Sequence, residues 1–226
     1  VGQAPARPIG LPQAGQLTDL PLIEVPAKSA QGDVLAVMVS GDGGWAWLVQ
    51  DLSAALSERG IPVVGINSLR YFWQTRTPEQ TAADVASVIE HYAARWNKPR
   101  VLLIGYSFGA DVMPAVFNRL PAESRARVAS ISLLGLGPNA SYEVSAAEWL
   151  HGFWKQGTPV LPEISRLGAT PTLCVNGARE KHTMCPALGK LGIEERQIGE
   201  GHHFSGLTAQ IVDAILDLGQ RPQSVS

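Results

Sequence analysis

The stretch Val101–Pro114, VLLIGYSFGADVMP, carries an aliphatic run into Gly105-Tyr106-Ser107-Phe108-Gly109 and then straight into helical spacing. A serine between two glycines at the end of a buried strand is either a structural turn or a nucleophile held on a strained bend. The pentapeptide matches G-x-S-x-G. A strand-to-helix turn this tight leaves no room for side chains flanking the serine, and the serine's backbone is strained so that Oγ stands clear of the sheet. The motif alone is weak evidence. Its weight comes from context, because a predicted strand precedes it and a predicted helix follows.

Working outward, the same alternation recurs. Leu20–Pro26 reads as a first strand, and Val34–Val39 (VLAVMV) as a buried one, closed by Ser-Gly-Asp-Gly-Gly. Trp45–Arg59 has helical spacing, with Leu48, Leu52 and Leu56 on one face and Gly60 as its stop. IPVVGI is the next strand. Thr77–Trp96 is a long helix opened by Thr77 and Pro78. Val101–Ile104 is a strand and Asp111–Leu120 belongs to the helix after the serine. VASISLLGL, PTLCVNG and EERQIG read as three more strands, and Leu207–Leu218 as a terminal helix. Strands alternating with helices imply an α/β domain, its mostly parallel sheet covered by helices on both faces.

Residues 1–19 are rich in Pro, Gly, Ala and Gln without periodicity and read as a flexible N-terminal arm. Residues 20–226 then form one domain. Within it, residues 138–167 break the rhythm and are placed to cap the strand ends. The chain of 226 residues is 45% hydrophobic and 17% charged, which is the composition of a globular protein. A formal charge of −2 gives no electrostatic reason to expect nucleic acid. No apolar run approaches the roughly 20 residues of a membrane span. The first residue is Val1, which reads as a processed or truncated product, compatible with a removed signal peptide.

A serine hydroxyl needs a base. Of the five histidines, His91 falls inside the long helix and reads as a surface or packing residue. His202, in GEGHHF after the last strand, is the candidate base, and His203 is its competitor. Glu180 follows the penultimate strand and is the candidate acid. Ser107, Glu180 and His202 then follow the chain order Ser…Asp/Glu…His of the α/β-hydrolase fold. Asp111 is nearer in sequence, but its helical position is poorly placed for the far side of the imidazole. An oxyanion hole needs two backbone N–H donors. Phe108 supplies one, and the glycine-rich SGDGGW loop supplies the other through Asp42 or Gly43. No GK[ST] phosphate loop is present, and no cofactor is called for.

Cys174 and Cys185 bracket Glu180. A disulfide between them would rigidify the acid-bearing loop and require an oxidising compartment. Two buried free thiols are the alternative. A zinc site would need His182 and more ligands, so no metal is expected.

The stretches SGDGGW, LRYFWQTRTPEQTAADVA, GYSFGADVMP, LCVNGAREKHTMCP and GHHF, from Ser40 to Phe204, resemble the VirJ/AcvB family of bacterial periplasmic virulence proteins. The resemblance implies an α/β-hydrolase fold and a periplasmic address. It also implies hydrolysis of aminoacyl-phosphatidylglycerol, such as the lysyl or alanyl form, as part of lipid homeostasis, with Ser107, His202 and Glu180 as catalytic residues. The partner would be the aminoacylated phospholipid headgroup at a membrane surface. A non-enzymatic adaptor that binds secretion-system components, or a general carboxylesterase or thioesterase, are the other readings. Tyr71, Phe72 and Trp73, and Trp149, Phe153 and Trp154, are aromatic clusters suited either to the core or to an apolar groove. Arg70 or Arg76 could meet a lipid phosphate. Glu143, then Glu148, could face the amine of an aminoacyl group, with Asp111 and Asp42 as alternatives near the nucleophile.

Overall fold

The computed structural model describes residues 17–29, 31–144 and 157–219. Strand Val34–Val39 (β2) shows how the sheet is buried. Its Leu35, Val37 and Val39 enter one apolar cluster, while Ala36 and Met38 enter another on the opposite side. A strand covered on both faces has no polar side to show, which is why VLAVMV reads as a continuous apolar run.

Five more strands share β2's direction: Val63–Ile66 (β3), Arg100–Tyr106 (β4), Val128–Leu134 (β5), Thr172–Asn176 (β8) and Glu194–Gln197 (β9). Leu22–Val25 (β1) pairs antiparallel with β3 at one edge. The order across the seven-stranded sheet is β1-β3-β2-β4-β5-β8-β9. The expected mostly parallel sheet is what the structure has.

Helices cover both faces. Leu48–Glu58 (α1) and Thr208–Gly219 (α7) lie on one side, burying Leu48, Leu52, Leu56, Ile211, Ile215 and Leu218. Pro78–Trp96 (α3) and Phe108–Arg119 (α4) lie on the other. The α3 start is a capping box: Thr77 Oγ1 accepts from Gln80 N–H, and Gln80 Oε1 accepts from Thr77 N–H. Short helices at Ser68–Tyr71 (α2), Ala122–Arg127 (α5) and Leu161–Ile164 (α6) went unread in the sequence. Four-to-six-residue turns carry too little periodicity to register.

From β2 the chain moves outward to β3, then returns to lay β4 on the other flank of β2. The crevice between the C-terminal ends of β2 and β4 is therefore a topological switch point, where ligands bind in open α/β sheets. Register aligns the ends: Val39 pairs with Gly105, Tyr106 with Leu134, and Leu134 with Val175. Every loop named as a site candidate leaves from this edge.

Within the expected arm, Leu17–Asp19 form a 3-10 turn with Leu17 against the core. In the expected cap, Asn139–Ala140 (β6) and Thr158–Pro159 (β7) pair as a two-stranded ribbon. Glu148, Trp149, Phe153 and Trp154 lie outside the described residues. Among the described residues no helix is long and apolar enough to cross a membrane.

Cys174, in β8, and Cys185 are joined, with Cα atoms 5.4 Å apart, and both are fully buried. The bond closes the loop that carries Glu180. Replacing both cysteines by alanine should lower the free energy of unfolding by about 2–3 kcal/mol, read from urea denaturation.

Candidate active site

Ser107 sits between β4 and α4 with φ 53° and ψ −119°, a left-handed conformation that a non-glycine residue holds only when its surroundings enforce it. The surroundings do. A Cβ on Gly105 would lie 2.5 Å from the Gly109 carbonyl oxygen, and one on Gly109 would lie 2.2 Å from that of Val39. The two glycines of the pentapeptide are thus the contact by which α4 closes onto β4 and β2. Ser107 N–H donates to Leu134 O at 2.8 Å, which ties the bend to the next strand.

The loops after β8 and β9 bring Glu180 and His202 to this bend. His202 Nε2 lies 2.8 Å from Ser107 Oγ, and His202 Nδ1 lies 2.5 Å from Glu180 Oε1. Gly177 N–H donates to Glu180 Oε2 at 3.1 Å, so both carboxylate oxygens are engaged. Burial raises the Glu180 pKa, but the bonds from His202 and Gly177 outweigh that and hold the carboxyl below its ordinary value. A carboxylate against Nδ1 suits the tautomer with the proton on Nδ1, in which Nε2 can accept from Ser107 Oγ. His203, the competitor, is exposed, with its ring edge-on to His202 at 5.8 Å.

Two residues that sequence reasoning missed hold the imidazole. Tyr106 stacks against it at 5.5 Å between ring centres. Gly135 has φ +67° and lies under the ring, where a Cβ would stand 2.6 Å from His202 Cε1. The available signal was its position, directly after the strand that pairs with the one ending at Tyr106.

For the oxyanion donors, Gly41 packs over the serine: its Cβ would be 3.4 Å from Ser107 Cβ. The turn closes with Gly44 N–H on Gly41 O at 3.0 Å. Asp42 follows the residue that touches the nucleophile, whereas Gly43 is the exposed tip. Of the two loop candidates, Asp42 is thus adjacent in the chain to the residue packed on Ser107, and Phe108 is the first residue of α4.

Asp111 lies in the first turn of α4, its N–H on Ser107 O at 3.0 Å. Its Oδ1 accepts from Gly137 N–H at 2.7 Å. Burial raises its pKa to about 8, against the lowering effect of that bond, and the charges of Asp42 and Glu180 push the same way as burial.

The aromatic cluster after β3 divides. Tyr71 is a correction to the groove expectation: it is 2% exposed and donates its hydroxyl to Asp84 Oδ2 at 2.5 Å, a core residue. Phe72 is also buried, against Phe108. Trp73 is 61% exposed and remains available. Arg76 is partly buried, its guanidinium 4.8 Å above the Tyr71 ring. Arg70 is exposed. Glu143 is partly buried on the strap leading from β6, next to Val144, whose N–H donates to Phe72 O. Trp47, unremarked in the sequence, is 80% exposed at φ 43° on the loop that supplies Asp42. Among the described residues no cluster of His, Cys, Asp and Glu could hold a metal ion.

Fold and site edge together define an α/β-hydrolase, and solved structures of that shape agree. Est1E from Butyrivibrio proteoclasticus superposes with a TM-score of 0.61 at 12% identity, over 88% of this chain and 94% of that one. A lipase-esterase related protein from Clostridium acetobutylicum gives 0.62 at 12% identity, over 87% and 99%. A proline iminopeptidase from Mycobacterium smegmatis gives 0.59 at 12% identity, over 88% and 94%. The model of the bacterial virulence protein family VirJ matches residues 33–222, and the chain belongs to that family. No curated protein matches the chain.

Two outcomes follow from this geometry. Gly135→Ala should leave a folded protein by circular dichroism, while esterase turnover falls at least about a hundredfold because the imidazole is displaced. Asp111→Asn should stabilise the protein at pH 8 and not at pH 4. The folded carboxyl titrates near 8 and its ordinary value is 3.8, so the wild type loses stability as pH rises between them. The gain should be roughly 1–3 kcal/mol by urea denaturation.

Proposed function

We propose that the protein is a serine esterase that cleaves the aminoacyl ester of aminoacyl-phosphatidylglycerol, releasing the amino acid and phosphatidylglycerol. The observation that carries the reading is the relay from Glu180 through His202 to Ser107 Oγ, with Oγ on a bend that exposes it. In this reading His202 Nε2 takes the serine proton as Oγ attacks the ester carbonyl. Phe108 N–H and Asp42 N–H receive the developing oxyanion. His202 then protonates the leaving glycerol oxygen, and a water activated by the same imidazole releases the amino acid from Ser107.

Membership of the VirJ family supports this substrate class, and so does the mouth of the site. Trp47 and Trp73, on the loops after the adjacent strands β2 and β3, are large amphipathic rings turned to solvent, the side chains favoured at the membrane–water boundary. The acidic groups Asp42 and Asp111 stand near the nucleophile, where a cationic acyl group would meet them. A periplasmic address fits both the family and the buried disulfide.

The test is release of amino acid from vesicles containing lysyl- or alanyl-phosphatidylglycerol, alongside labelling by a fluorophosphonate. Ser107→Ala should abolish labelling and cut release by roughly three orders of magnitude or more. Labelling without release from lipid would point to a general esterase. Absence of labelling in a folded protein would point to an adaptor.

A further inference from the structure

We infer that Asp111 is the specificity-determining residue of this site: its carboxylate receives the α-ammonium of an aminoacyl ester seated on Ser107. The inference rests on the esterase reading above. It adds which atom of the substrate is recognised, and by what.

In an aminoacyl ester the amine is borne by the carbon next to the scissile carbonyl. Whatever reads it must therefore stand about one residue's reach from Ser107 Oγ. Asp111 is one helical turn beyond the serine, on the same side of α4, and its N–H bonds the serine's own carbonyl. The other acids are less suited. Glu180 has both oxygens engaged, by His202 and by Gly177 N–H. Asp42 is partly buried on the loop after β2, beside the exposed Gly43, and is not on the helix that starts at the serine. Glu143 stands on the strap next to Val144, whose N–H is on Phe72 O, whereas the Asp111 N–H is on the serine's own carbonyl.

The chemistry of Asp111 itself asks for a cation. Part of the residue is accessible, yet protein surrounds the carboxyl, and Gly137 N–H is its single hydrogen-bond donor among the described residues. Holding one loop N–H in place needs only a neutral acceptor, and asparagine would serve. A carboxylate here also meets the fields of Asp42 and Glu180, which disfavour a third negative charge. An arriving ammonium offsets all three effects, since it supplies donors, opposite charge and exclusion of water. Because the α-ammonium is common to lysyl and alanyl esters, both should be accepted, and an N-acylated ester should be refused.

The experiment compares kcat/KM for a soluble L-alanine aryl ester with that for its N-acetyl counterpart. The ratio of the two is the readout, because a general loss of activity cancels from it. Wild type should favour the free amine at least tenfold, and Asp111→Asn, which keeps the acceptor for Gly137, should cut that preference by roughly tenfold to a hundredfold. An unchanged ratio in Asp111→Asn would overturn the inference, as would a ratio near one in wild type. Should Asp111→Asn fail to fold, Glu143→Gln, Glu148→Gln and Asp42→Asn decide: a preference retained in all three supports Asp111, and one lost in any of them overturns it. Soluble esters carry no lipid. A retained preference together with no release from aminoacyl-phosphatidylglycerol vesicles would strike the lipid reading and leave this one standing.

Discussion

The approach of α4 to β2 and β4 is the contact on which the site depends. Two glycine positions face carbonyl oxygens at distances no methyl group could tolerate, and between them Ser107 is forced into a left-handed backbone. That one compression performs several tasks. It sets the bend that carries Oγ at the end of β4, starts α4 immediately after it, and sets Gly41 against the serine. The crevice is where it is because the strand order reverses between β2 and β4. The chemistry stands where the topology leaves a gap and the turn fills it with a hydroxyl.

Three carboxyl groups share this small volume, and their surroundings sort them. Glu180 is partly buried but receives two hydrogen bonds, so it stays an anion. Asp111 is more enclosed with one donor, so it resists ionisation. Asp42 is partly buried on the loop after β2. Glu180 and Asp111 thus take different protonation behaviour from the count of donors and the access of solvent.

Much of this was legible in the sequence because the signals were local. Val34–Val39 and Val128–Leu134 announce buried strands by uninterrupted aliphatic runs, Thr77-Pro78 announces a helix start, and G-x-S-x-G announces its bend through the glycines it requires. The chain order of Ser107, Glu180 and His202 was readable because parallel strands deliver their loops to one edge. What stayed hidden was set by packing between distant segments. Tyr71 and Trp73 are two residues apart in one aromatic run, yet one turns into the core toward Asp84 and the other into solvent. Nothing in their spacing separates them, because Asp84 comes from a different helix. The choice between Asp42 and Gly43 likewise required knowing that Gly41 lies on the nucleophile.

Gly135 is a residue whose contribution is the space it leaves. It offers no side chain and makes no polar contact with the base, yet the imidazole occupies the volume where a Cβ would be. A site of this kind sets the tolerance of the sequence as narrowly as the nucleophile does. Any side chain at position 135 would have to push the His202 ring aside. Positions important to catalysis therefore include some that a search for reactive groups passes over. In this fold they are found by asking, at each strand end, which neighbour's ring has taken the place of a side chain.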